Sequence, residues 1–321
     1  MDTLVEFAKN SQTSSKSDSL VSPFENEKVQ VLETEKASPS EISKTFALLQ
    51  RGMIKARRDY LAYYVRVAMY FGLAIMMGTV WLRLSYSQEN IQLFTNAIFF
   101  SGAFMSFMSV AYIPAYLEDY FSYRKERSNG LYGPFTFMIS NFAIGVPFLF
   151  GIVVMFSLIT YFMCNFTKSA SGFFYYVLYL FVNLLAAESL TILIATIFPV
   201  FVVALALTAF ANGLWMAVGG FLVSASVLND FWYYTFYWID YQRYAFQGMM
   251  FNQFEDTIYK CGSGCKCMYS SALEGQCLIQ GGAVLKALGY GAANHGLWVG
   301  LMLALTFVLR FGTYLVLKLR K

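Results

Sequence analysis

Three stretches of this sequence carry no acidic or basic side chain: Leu131 to Thr167, Ser189 to Asn229 and Ala287 to Leu309. A helix needs an apolar run of about 20 residues to cross the hydrocarbon of a bilayer, and few other environments reward one. Soluble domains hold about 25% charged residues, whereas here 13% of 321 residues are charged and 58% are hydrophobic. The charges are also unevenly placed, with 8 of the 19 acidic residues in the first 50 positions. These features exclude a soluble globule, a disordered chain and a nucleic-acid binder. They describe a chain that crosses a membrane several times.

Residues 1–44 are rich in Ser, Glu, Lys and Thr and cannot bury enough apolar surface to offset the entropy of ordering, so they read as a disordered polar tail. No apolar core follows Met1, so the tail is not a signal peptide. From Ile42 to Tyr64, the residues Phe46, Leu49, Met53, Ile54 and Leu61 recur at helical spacing between Arg51, Lys55, Arg57 and Arg58. That pattern predicts an amphipathic helix on the membrane surface. Residues 45–321 are then an all-α membrane domain with six spans, at about 62–82, 91–117, 138–163, 173–198, 200–222 and 296–317. A charged segment, Glu118 to Arg127, follows the second span, and a long loop, 223–295, precedes the last.

Lys and Arg gather before the first span, after the second and at the C-terminus, which six spans would place on one side. The positive-inside tendency makes that side, and both termini, cytoplasmic. A plasma membrane is expected rather than an internal one. The loop 223–295 then faces outward. It opens with an aromatic run, Phe231 to Trp238, of the kind that sits at a membrane interface or re-enters it. It also holds Cys261, Cys265, Cys267 and Cys277, for which an oxidising space predicts disulfides. Four cysteines allow three pairings. Joining Cys265 to Cys267 is geometrically awkward, which leaves two.

Catalytic and nucleotide motifs are missing. No G-x-x-x-x-G-K-[ST], H-E-x-x-H or G-x-S-x-G occurs, and a single histidine offers no metal cluster, so no enzyme activity, bound cofactor or metal is expected. Glu188 lies midway along the fourth span, where a charge marks a pathway or a bond to a neighbouring helix. Arg310, near the basic end of the last span, is expected to snorkel toward water. Asn165-Phe166-Thr167 is the one glycosylation sequon and is read as coincidental, being close to the bilayer.

From Arg51 onward the chain resembles the membrane domain of ATP-binding cassette transporters of subfamily G, the white-pigment and multidrug half-transporter group. Arg57-Arg58-Asp59-Tyr60, followed by Gly78-Thr79-Val80, looks like that family's entry into its first span. The segment from Tyr123 to Tyr132 is similar to its F-x-R-E-x-x-x-G-x-Y coupling segment. Gly219-Gly220-Phe221-Leu222 resembles the end of its fifth span, and Tyr244 to Phe254 its Y-A-x-x-(A/G)-L-x-x-N-E-F signature, with Gln253 in place of Glu.

The resemblance implies a permease half of an exporter for lipidic or amphipathic molecules. Such a half pairs with a second one, as a homodimer or heterodimer, and is driven by ATP and Mg on a nucleotide-binding partner. It implies a cavity lined by Phe104, Phe107, Asn212, Gly213 and Met216, beneath a plug of Phe221 and Leu222. It implies that Glu126 rests on the nucleotide-binding domain and that Arg51 pairs with Asp119. It further implies one disulfide within the loop including Cys277, with another cysteine reaching the partner subunit. About 50 residues precede the surface helix and lack nucleotide motifs, so the ATPase is expected on another chain or a missing segment. The alternatives are a gradient-driven carrier or channel using Glu188, and a non-transporting remnant that dimerises with full-length relatives. No repeat relates the two halves, which weighs against the carrier.

Overall fold

The computed structural model describes residues 39–58, 63–225, 227–291 and 294–320, of which those from Ser40 onward belong to one compact unit. Residues 1–38 of the expected tail and the Asp59-Tyr60 part of the first-span motif lie outside the described residues. The described residues are mostly helical, as a membrane segment must be when lipid offers its backbone no partner.

Helix α1, Glu41–Arg58, is the amphipathic element and begins inside the stretch assigned to the tail. Gly52 lets it lie close on its neighbour, because a Cβ there would come within 2.1 Å of Ile144 Cδ1. Helix α2, Val65–Val80, is apolar but short at 16 residues. Helix α3, Ile91–Phe107, continues through a 3-10 segment, Met108–Tyr112, into α4, Ile113–Ser128. The tightening has a local cause: Pro114 has no N–H to give to a carbonyl in the preceding turn, so the regular ladder cannot run through it. Helices α5, Pro134–Met163, and α6, Ala170–Ile197, follow. Next comes α7, Phe201–Val218, which begins just past Pro199.

Among the described residues, five helical stretches are long and apolar enough to cross a bilayer: residues 88–128, then α5, α6, α7 and the last helix, α10, His295–Leu319. Five of the six expected spans therefore correspond to such stretches, and α2 falls short by length within the described residues.

Helix α6 is the centre of the bundle, contacting α3, α4, α5, α7 and α10. Its polar side chains form rungs to the neighbouring helices. Asn183 Nδ2 donates to the Gly102 carbonyl and to Ser106 Oγ, both at 2.9 Å. Thr191 meets Ser109 at 2.8 Å, and Thr196 meets Tyr116 at 2.6 Å. Between helices in lipid, where apolar contact gives little net drive, such bonds and close packing supply the association.

Beyond α7 the chain turns at Gly220, whose φ of 89° suits glycine. It then forms a short helical stretch from Asp230 to Tyr237 and helix α8, Tyr241–Phe254. Strands β1, Ile258–Lys260, and β2, Leu278–Gln280, pair antiparallel, and α9, Gly281–Ala287, leads to α10. Two disulfides, Cys261–Cys267 and Cys265–Cys277, interlock beside this hairpin. This is one of the two pairings the spacing left open. Both bridges close within the loop, so none of its four cysteines remains to reach a partner subunit, contrary to what the resemblance implied. The fifth cysteine, Cys164, is buried and free.

Candidate functional site

At the basic end of the bundle, α1 lies against α4 through three ion pairs. Arg51 pairs with Glu126, and Lys55 Nζ reaches Glu118 at 3.0 Å and Asp119 at 2.7 Å. The expected Arg51–Asp119 pair is therefore replaced by Arg51–Glu126. The two helices run in opposite senses here, so advancing one turn along α1, from Arg51 to Lys55, moves back along α4 from Glu126 to Asp119. Tyr132 also donates to Glu126. The Arg51 guanidinium holds the Glu126 carboxyl below the usual carboxylate range. Arg127, which sequence reasoning passed over, donates to the carbonyls of Leu317, Arg320 and Lys318 and ties α4 to the end of α10. A cation at helix-terminal carbonyls is also favoured by the helix dipole.

Beside the 3-10 segment, Arg66 of α2 and Glu188 of α6 form an ion pair inside the bundle, with exposures of 2% and 1%. The Arg66 guanidinium also sits 4.7 Å from the centre of the Tyr112 ring. Glu188 thus bonds to a neighbouring helix, through Arg66. The only signal available beforehand was charge balance, one acid among the spans and one arginine near the start of the first. Arg310 is 8% exposed and donates to Ser189 Oγ at 2.9 Å. It does not snorkel, because nine residues of helix, roughly 14 Å, separate it from the end of α10 at Leu319.

The residues expected to line a cavity divide into two groups. On α3, Phe104 is half-buried and stacks on Phe100 at 5.5 Å, while Phe107 is exposed. On α7, Gly213 is exposed and Met216 half-buried. Asn212 points the other way. It is fully buried, and its Oδ1 accepts from Tyr241 at 2.9 Å and Gln242 at 3.3 Å. Phe221 stacks face to face on Phe99 at 4.0 Å, and the neighbouring Leu222 is exposed. Helix α7 buries only Ala204, Thr208, Asn212 and Val218, so most of its apolar surface is uncovered by this chain.

Behind Asn212, the Asp240 carboxylate caps α8 by accepting from Gln242 N at 2.8 Å, and burial pushes its pKa up to about 8. Gln253, which departs from the Glu of the family signature, accepts from Thr167 N at 3.0 Å. An amide oxygen fills that role as well as a carboxylate oxygen would.

A bundle of long apolar helices, bonded internally by buried polar groups and braced at one end by a charged surface helix, is a polytopic membrane domain. The family model for the ABC-2 type transporter matches residues 43–254, and the chain belongs to that family. It is 29% identical over 215 residues to ABC transporter G family member 1 of Petunia hybrida, covering 67% of this chain and 34% of that protein. It is 29% identical over 230 residues to ABC transporter G family member 11 of Arabidopsis thaliana, covering 71% of this chain and 33% of the relative. With ABC transporter G family member STR2 of Petunia hybrida the identity is 24% over 292 residues, covering 88% of this chain and 38% of the relative. The chain spans about a third of the length of the curated relatives it matches.

Proposed function

We propose that this chain is the permease half of an ATP-driven exporter of lipidic or amphipathic small molecules. In this reading two halves pair across the uncovered faces of α3 and α7. Phe104, Phe107, Gly213 and Met216 line the cavity between them, with Asn212 bracing α7 from behind and Phe221 and Leu222 closing the top. Aromatic and Met surfaces suit flat apolar molecules because they make few directional demands. The reading takes six spans, with α2 as the core of the first, and so both termini in the cytoplasm, at a plasma membrane. The chain itself performs no catalysis: ATP and Mg bind a nucleotide-binding partner.

The observation that carries the reading is the ion-pair latch of Arg51 and Lys55 on Glu126, Glu118 and Asp119, in a chain whose family is that of ABC-2 transporters. A surface helix locked to the base of a long spanning helix can pass a push from a soluble partner into the bundle. Reconstitution with and without a nucleotide-binding partner tests it. Substrate movement that requires the partner and ATP, and that drops in Arg51→Glu but returns in Arg51→Glu/Glu126→Arg, is expected. Movement down a gradient by the chain alone would overturn it.

A further inference from the structure

Among the described residues, the interior of the spans holds two deeply buried guanidiniums, Arg66 and Arg310, and one carboxylate, Glu188. Arg66 takes that carboxylate. Arg310 forms no ion pair among the described residues, and its bond to Ser189 Oγ is its only side-chain hydrogen bond there. A guanidinium without a counter-charge in a low-dielectric interior is expensive. Arg310 is not sealed in, however. It lines a groove of about 540 Å³ between α5 and α10. Met138 and Phe142 form one wall, Leu303 and Phe307 the other, and Thr306 lies beside the guanidinium. Phe307, at 70% exposure, and Leu303, at 46%, put the groove on the outer surface of the bundle.

We propose that this groove binds a single-chain acidic lipid, a fatty-acid carboxylate, with its head group on Arg310 and its chain along α5 and α10. Charge complementarity identifies the head, since the buried network is one negative charge short and the exposed nitrogens are donors. The dimensions identify the tail. From Arg310 back to Leu303 the groove follows seven residues of α10, roughly 10 Å of helix. That is about a third of the ~30 Å hydrocarbon thickness, a seat for the first part of one acyl chain whose end runs on into the lipid. Apart from Arg310, Thr306 and Tyr314 the lining is apolar, which leaves little to hold the rest of a phospholipid head group. None of Phe104, Phe107 and Met216 lines the groove, so the inference does not depend on the transport reading.

The test uses the full chain in nanodiscs, with a diazirine-bearing hexadecanoic acid and the matching hexadecanol as probes. Mass spectrometry locates the adducts. The acid should label α5 and α10 around Met138, Phe142, Leu303 and Phe307, the alcohol at least ~10-fold less, the ratio that corresponds to one lost charge-assisted contact. Unlabelled palmitate should compete. Arg310→Met should reduce acid labelling to the level of the alcohol, and Arg310→Lys should restore part of it. Leu303→Trp, which fills the groove and leaves the guanidinium in place, should also abolish labelling, and it decides the matter if Arg310→Met does not fold. Equal labelling by acid and alcohol, labelling unchanged by Leu303→Trp, adducts concentrated elsewhere, or competition by anionic phospholipid but not by palmitate would each overturn the proposal.

Discussion

The two ends of this bundle are held together by opposite means. At the basic end, α1 is fastened to α4 by half-exposed ion pairs between flexible side chains. At the other end, two interlocked disulfides tie the hairpin loop to itself. That loop is also pinned to the segment before α3, where Lys260 N donates to the Tyr86 carbonyl at 3.0 Å and Met268 N to Gln88 Oε1 at 3.0 Å. One end can be re-formed at little expense, as a coupling surface requires. The other is fixed covalently, as a lid over a cavity would be. Between them the Arg66–Glu188 pair holds α2 to α6.

The largest expected effect comes from that shared middle. Arg66→Met or Glu188→Gln leaves the partner unpaired in the bundle interior and should cost about 3–5 kcal/mol, while the double replacement Arg66→Met/Glu188→Met should recover most of it. Thermal unfolding in nanodiscs would show this. Singles as stable as the double would mean the pair does not hold the frame. A carrier driven through Glu188 would instead keep its stability in Glu188→Gln and lose transport.

At the disulfide end, Cys265→Ser/Cys277→Ser opens the wider bridge, of separation 12, and should lower stability by about 2–4 kcal/mol. Opening Cys261–Cys267, of separation 6, should do less, because it closes a shorter loop. Unfolding with and without reductant gives the comparison, and indifference to reductant would erase the contrast between the ends.

A smaller effect at the same end depends on pH. The Asp240 carboxyl is raised from 3.8 to about 8 by burial. Between those values the native chain holds a proton that the unfolded chain has released, so stability falls as pH rises through the interval. Asp240→Asn should flatten this dependence of the unfolding midpoint, and an unchanged slope would show that another group sets it.

The basic end should respond least in stability. Glu126→Ala should cost no more than about 1 kcal/mol. The effect should fade as salt shortens the screening length from about 10 Å at 0.1 M to about 3 Å at 1 M. A loss insensitive to salt would mean that the latch is stiffer than its ion pairs suggest. The smallest effect is an expected absence: Asn165 Nδ2, the atom a glycan would occupy, donates to the Leu84 carbonyl at 2.9 Å. Glycosidase treatment of chain from a glycosylating host should leave its mass unchanged.

What could be read from the residues was whatever is written locally. Long apolar runs marked α5, α6, α7 and α10, because hydropathy is a property of consecutive residues. The basic clusters marked the latch residues, and the cysteine spacing narrowed the disulfides to two options. Partner choice was not local. Arg66 and Glu188 are separated by 122 residues, and nothing in either neighbourhood names the other. Arg51 and Glu126 are found together only once α1 and α4 are set antiparallel. The inward turn of Asn212 depends on α8, which packs behind α7 from a loop whose path the sequence does not specify.

The 3-10 segment Met108–Tyr112 sets the phase between two faces of one continuous rod. Winding three residues per turn instead of 3.6 adds about 20° per residue, so its five residues advance everything beyond them by about 100°. The charged face of α4 is thereby turned about a quarter turn further round from the aromatic face of α3 than an unbroken α-helix would place it, and it meets α1 there. Straightening those few residues would spin Glu118, Asp119 and Glu126 off their partners without altering a single charge.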